Sequence, residues 1–246
     1  VEKNMPPTVA IPTSSAGFHE QGFARFDDLL PADEWAMLSA IYDDLFRDPE
    51  THPQFRQLGG TDAAGQQLMP QILSPHTTHP KLLQTTYFQR ATELARVLLG
   101  ENAELRTSHM ILKPAGSKRD TPWHQDQSYH SPKFFYKNVN FWLPLDGASV
   151  DDGCMWFVPR THAGMVFPHE QVGGDATATV ALNADYWHQN GVPVPLPRGS
   201  VSAHHSYCMH YAGPNRSLRP RRAWILVFAT EPRPLEEALV LPWQAD

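Results

Sequence analysis

The chain has 246 residues, 41 % of them apolar and 19 % charged, with a formal net charge of −6 at neutral pH. That profile belongs to a globular protein with material for a sizeable core, and its acidic balance disfavours a nucleic-acid partner, which calls for basic surface. Two cysteines, Cys154 and Cys208, exclude a disulfide scaffold, and no run approaches the roughly 18 apolar residues of a membrane span.

Val1 to Ser15 contains no apolar core, so no signal peptide is expected and a cytoplasmic, reducing compartment is the default. Phe18 to Phe26 alternates and predicts an edge strand. Pro31 to Phe46 carries Trp35, Leu38, Tyr42 and Leu45 at helical spacing, with Pro31 suited to a first turn. Thr51 to Pro80, rich in Gly, Gln, Thr and Pro, reads as a long loop. A second helix is predicted over Lys81 to Leu99, with Gly100 placed to end it. Beyond Gly100 the period becomes two: Arg106–Lys113, Val139–Leu145, Cys154–Val158, Ser200–His210 and Ala223–Thr230 predict strands. Ala163 to Arg198 interrupts them with glycines and prolines. The expected architecture is one domain over residues 1–246, mainly β with flanking helices. Residues 1–100 give helical support, and 101–246 form a β-sandwich or jelly-roll core with residues 163–198 inserted as a lid.

With 13 histidines among 246 residues, a His followed two places later by an acid is expected about once by chance. One such pair occurs, His124-Gln125-Asp126, and in extended backbone its two side chains point the same way. A third ligand would come from His204, His205 or His210. His210 is preferred because Gly213, Pro214 and Asn215 follow it, then Arg221, Arg222 and a strand. Two imidazoles and a carboxylate on one face suit iron(II) with open positions. They suit catalytic zinc as well.

Three stretches taken together, in order, are specific: Trp123 to Asp126; Asp152-Gly153-Cys154-Met155-Trp156-Phe157-Val158-Pro159-Arg160-Thr161-His162; and His210 to Asn215 through Arg222-Ala223. They resemble the phytanoyl-CoA dioxygenase family of iron(II)/2-oxoglutarate oxygenases. The resemblance implies a double-stranded β-helix with His124, Asp126 and His210 holding iron(II). It also implies 2-oxoglutarate and dioxygen as co-substrates, and Arg221 pairing with the far carboxylate of 2-oxoglutarate, where a guanidinium fork fits two oxygens. Lys113, His109 and Trp142 fall where family members line the co-substrate pocket. Gln125, Trp156 and Trp187 are candidate substrate contacts. The expected partner is a small molecule, with neither nucleic acid nor membrane.

Two departures stand out. Ala212 replaces a small hydroxyl residue, and Arg160 brings a cation toward the barrel mouth. Asp126 argues against halogenation, for which the related enzymes lack the carboxylate. The rivals are a zinc hydrolase, which has no need of Arg221, and a non-catalytic binder, which has no need of intact ligands. The implied chemistry is oxidation of a C–H bond, by hydroxylation or oxidative cyclisation. The substrate expected is a natural product, through its sugar portion, with lipid-CoA esters and compatible solutes as alternatives within the family. His76, His79, His130, His162, His169 and His188 read as ordinary histidines, and the other tryptophans as core.

Overall fold

The computed structural model describes residues 10–57, 69–172 and 175–244. Helix α1 (Ser15–Gln21) precedes strand β1 (Phe23–Phe26), so the predicted strand over Phe18 to Phe26 is half helix. The cause is local: the Ser14 hydroxyl accepts from Gly17 N at 3.1 Å, and Gly22 ends the helix in the left-handed region at φ 86. Helix α2 (Trp35–Leu45) follows. The predicted loop after it contains β2 (Phe55–Gln57) and β3 (Pro70–Leu73) as an antiparallel pair, while Gln66 and Gln67 lie outside the described residues. Helix α3 (Thr86–Leu99) is capped by the Thr85 hydroxyl, which accepts from Phe88 N.

The remaining strands are β4 (Glu104–Lys113), β5 (Thr121–His124), β6 (Phe134–Phe135), β7 (Asn138–Pro144), β8 (Met155–Phe157), β9 (His169–Val172) and β10 (Asp175–Ala181). After helix α4 (Ala184–Asn190) come β11 (Val192–Val194), β12 (Val201–His205), β13 (His210–Ala212), β14 (Arg221–Ala229) and β15 (Arg233–Pro234). The major sheet runs β1-β12-β7-β14-β4-β3-β2, with β1 at its edge as predicted. The minor sheet runs β11-β8-β13-β5. Two facing antiparallel sheets make the jelly roll, or double-stranded β-helix, that the family resemblance implies and the strand pattern allows. The single strand expected over Ser200 to His210 instead breaks at Ser206–Met209, so His204 and His210 reach the interior from opposite sheets.

Period two on the major sheet separates two cores. Along β14, Trp224, Leu226 and Phe228 face α2 and α3 among Leu38, Tyr42, Tyr87 and Phe141. Ala223 and Ile225 face the minor sheet with Trp142, Met155 and Phe157. Tyr87 meets Trp224 edge-on at 5.0 Å, a preferred aromatic geometry. Arg222 points outward and binds Asp146 at 2.8 and 2.9 Å and Asp43 at 2.9 Å, leaving its neighbour Arg221 to point in. Among the described residues, no helix is long and apolar enough to cross a membrane.

Candidate metal centre and co-substrate cavity

Between the sheets lies a cavity of about 410 Å³, lined by inward residues of β3, β4, β7, β12 and β14 and by the mouth of the minor sheet. His124 ends β5 and His210 begins β13, and the two are register partners across an antiparallel ladder. Their rings lie 4.1 Å apart. Asp126 opens the turn after β5, placing Oδ1 3.7 Å from His124 Nε2 and 3.6 Å from His210 Nε2. One ligand atom from each of the three residues lies within 4.8 Å of the others, a separation a single ion can bridge.

Hydrogen bonding sets the tautomers for this purpose. His124 Nδ1 faces Pro122 O at 2.8 Å and His210 Nδ1 faces Cys208 O at 2.9 Å. Donation to those carbonyls leaves each Nε2 lone pair aimed at the centre. Burial lowers the pKa of His124 and drives that of His210 well below the usual imidazole range. Burial alone would raise Asp126, but His210, His204 and His124 together hold it well below the carboxylate range. Neutral imidazoles beside an ionised carboxylate are the protonation state that binds a divalent cation. The donor set therefore fits iron(II).

Asp126 is held from several sides. Asn140 Nδ2 donates to its Oδ2 at 2.7 Å, and the Tyr129 hydroxyl donates to Oδ1. His204 Nε2 stands 3.7 Å from Oδ2, and its buried Nδ1 has no partner. Sequence reasoning did not single out Asn140 or Tyr129. Asn140 reads as strand alternation, and Tyr129 sits in a short 3-10 turn with no periodic signal.

Arg221 is 4 % exposed and lines the same cavity. Its Nη1 donates to Gly153 O at 2.9 Å, its face stacks over Trp142 at 5.3 Å, and its buried Nε has no partner. No carboxylate among the described residues forms an ion pair with it. Burial pulls its pKa down to about 10, so it stays charged at neutral pH. A buried guanidinium without a counter-anion fits a carboxylate ligand such as 2-oxoglutarate. Gly153 itself, at φ 77, packs so closely on the segment after β13 that a Cβ there would run into the Gly213 carbonyl.

His109 and Trp142 also line the cavity, and burial lowers His109 to about 4. Lys113, the register partner of Arg221, does not line it. Its Nζ donates to Gly213 O at 2.7 Å and Ala212 O at 3.3 Å, tying down the chain after β13. Burial, then the Arg221 charge, pushes its pKa well below the lysine range.

The expected substrate contacts are placed elsewhere. Gln125 points away from the cavity: its amide donates to Met165 O and Tyr207 O and accepts from Phe167 N, anchoring the segment between the ligands. Trp187 is buried beside Phe167 and Trp123 and donates to Leu182 O. Trp156 stacks on His188 at 5.1 Å, on the outer face of the minor sheet. Arg160 is exposed and pairs with Glu20 at 2.9 Å. Two histidines that look ordinary in sequence do matter to this site: His130 lines the cavity, and His169 Nε2 accepts from Gln125 N at 3.1 Å. Only the three-dimensional meeting of loops reveals them.

Residues 18–223 match the family described as "Phytanoyl-CoA dioxygenase (PhyH)". EvdO2 from Micromonospora carbonacea var. aurantiaca is similar at 32% identity and TM-score 0.82, over 96% of this chain and 99% of that one. EvdO2 has also been solved with 2-oxoglutarate. A protein of Stutzerimonas stutzeri named "Probable alpha-ketoglutarate-dependent hypophosphite dioxygenase" is 26% identical over 224 residues, 85% of this chain and 75% of that protein. The fold is shared with the alpha-ketoglutarate-dependent carbocyclase SnoK from nogalamycin biosynthesis, at 22% identity, TM-score 0.70 and coverage of 93% and 91%. The chain spans about half the length of the phytanoyl-CoA dioxygenase domain-containing relatives it matches. With that match along most of its length and this cavity between its sheets, the chain belongs to the phytanoyl-CoA dioxygenase family and is an iron(II)/2-oxoglutarate-dependent dioxygenase.

Proposed function

We propose that the chain oxidises a C–H bond of a neutral, hydroxyl-bearing small molecule, as a tailoring step on the sugar portion of a natural product. The observation that carries this reading is the charge of the cavity wall. Among the described residues, and apart from Asp126 and Arg221, the lining offers only apolar groups, imidazoles and neutral polar groups, among them Gln71, Thr107, Asn138 and Asn140. Amides and hydroxyls pair with substrate hydroxyls at no charge penalty. An acyl-CoA would call for clustered cations to meet its phosphates, and an inorganic anion for a second cation near the metal.

In this reading His124, Asp126 and His210 hold iron(II), and Arg221 pairs with the far carboxylate of 2-oxoglutarate. Bound there, iron(II) with 2-oxoglutarate and dioxygen would supply the oxidising power for the C–H bond, with succinate and carbon dioxide as the co-products. The protein's part is position and exclusion. Trp142 covers the guanidinium, while Ile111, Met155, Ala212 and Ile225 form the apolar wall beside it. Asn140 and Tyr129 fix the plane of Asp126, and the neutral wall aims one substrate carbon at the metal.

The test is substrate-dependent succinate release over neutral glycosides, acyl-CoA esters and phosphonates. Stimulation by neutral hydroxylated compounds alone is expected, and stimulation by acyl-CoA or an anion would refute the substrate class.

A further inference from the structure

Asp126 does not sit on a strand. It opens the 3-10 turn Asp126–Tyr129, which also carries Tyr129 and leads into His130, both on the cavity wall. A 3-10 turn holds itself poorly, and its geometry depends on what surrounds it. Within the body of the fold, Gln127 N donates to Ser206 O at 3.1 Å in the turn after β12, and Asn140 of β7 holds the Asp126 side chain. Ser128 Oγ also meets Thr179 Oγ1 of β10, and a further set of ties comes from the far end of the chain. Leu235 N donates to Lys133 O at 3.0 Å and Leu239 N to Pro132 O at 2.9 Å, laying the segment along the strand-free stretch after the turn. Trp243 Nε1 then donates to Ser128 O at 2.8 Å. Gln244 Nε2 donates to Ser128 O at 2.7 Å and to His130 O at 3.0 Å.

A second brace meets the first. The Trp243 ring lies 5.2 Å from the ring of His169, whose Nε2 accepts from Gln125 N. Gln171 in turn donates to Trp243 O. The backbone from Gln125 through His130 is thus gripped by side chains from β9 on one side and the strap on the other.

We propose that Trp243 and Gln244 are positioning residues for the metal centre: through the carbonyls of Ser128 and His130 they set the place of Asp126 and of the Tyr129–His130 wall. The inference rests on the metal-site reading above. Both side chains are half-buried at the surface, so their replacement leaves the cores intact. Backbone carbonyls that lose these donors turn to water, and the turn gains freedom that the carboxylate must surrender when metal binds.

The experiment compares wild type with Trp243→Phe/Gln244→Ala, using cobalt(II) as a visible-absorbing probe, amide hydrogen exchange and thermal melting. Each lost hydrogen bond is worth roughly 3- to 10-fold, so the cobalt dissociation constant should rise about 10-fold or more. Exchange should quicken over residues 126–133 while the melting temperature barely moves. Gln244→Lys, which keeps an N–H donor, should hold near-wild-type affinity. Unchanged cobalt affinity and exchange in the double variant would overturn the proposal, as would a loss matched by general destabilisation. Failure of wild type itself to bind cobalt would instead sink the metal-site reading.

Discussion

The two ends of the cavity are built by different means. At the buried end, Arg221, Ile225, Trp142 and His109 project from long paired strands of the major sheet. At the other end, the buried Asp126 and the outer residues Tyr129 and His130 ride on a short turn gripped by the insertion and by the C-terminal strap. A strand ladder fixes side-chain direction through its own backbone. A turn borrows its position from whatever packs on it. The end assigned by our proposal to the constant co-substrate is therefore rigid by construction, and the end it leaves to the substrate is adjustable from outside.

Breaking the buried end should give the largest effect. Arg221→Ala removes a charge-assisted pair inside a dry site, a loss of about 2–4 kcal/mol, or roughly 30- to 1,000-fold in 2-oxoglutarate affinity. Titration of 2-oxoglutarate into the iron-loaded protein checks this, with iron affinity expected to stay near wild type. Unchanged 2-oxoglutarate affinity would move the role to another residue.

At the rim the effect should be smaller and of another kind. Trp187 lies outside the cavity and packs with Phe167 and Trp123, next to the ligand His124. Trp187→Ala should loosen β5 and lower substrate-coupled turnover by up to about 100-fold through misplacement. Its 2-oxoglutarate affinity should be spared. Parallel measurement of succinate and oxidised product reads the coupling, and wild-type coupling would remove the insertion from the account.

Acid sharpens the comparison most gently. Burial lowers His109, at the buried end, and His169, at the rim, from 6.5 to about 4. The folded state then binds fewer protons than the unfolded chain, so stability is complete above pH 6.5 and falls as pH drops toward 4. Each group contributes at most about 1.4 kcal/mol per pH unit in that window. Urea unfolding of the metal-free protein at several pH values should show the slope. His109→Asn and His169→Asn should each reduce it.

What could be read from the sequence follows the same division. The alternation over Arg106–Lys113 and Ala223–Thr230 was enough to place a β-sandwich or jelly roll, while the His124–Asp126 pair gained weight only from the motifs around it. Arg221 was singled out through the family resemblance alone, and strand alternation served only to set its neighbour Arg222 on the opposite face. Gln125 was misread as facing substrate: the residue between two inward ligands points outward, and here it meets Met165, Phe167 and Tyr207. The break at Ser206–Met209 was hidden because no glycine or proline between Val201 and Ala212 marks a boundary, although β12 and β13 join different sheets. Trp243 carries no local signal, since its contacts with Ser128 span 115 residues.

The central claim is that His124, Asp126 and His210 present iron(II) to a 2-oxoglutarate anchored by Arg221. Anaerobic visible absorption tests it most directly, because 2-oxoglutarate chelating iron(II) in such a site produces a charge-transfer band. Wild type should show the band at one iron per chain, and His210→Ala should lose it together with iron. A band that survives His210→Ala, and disappears only on replacing His204 or His205, would contradict the account.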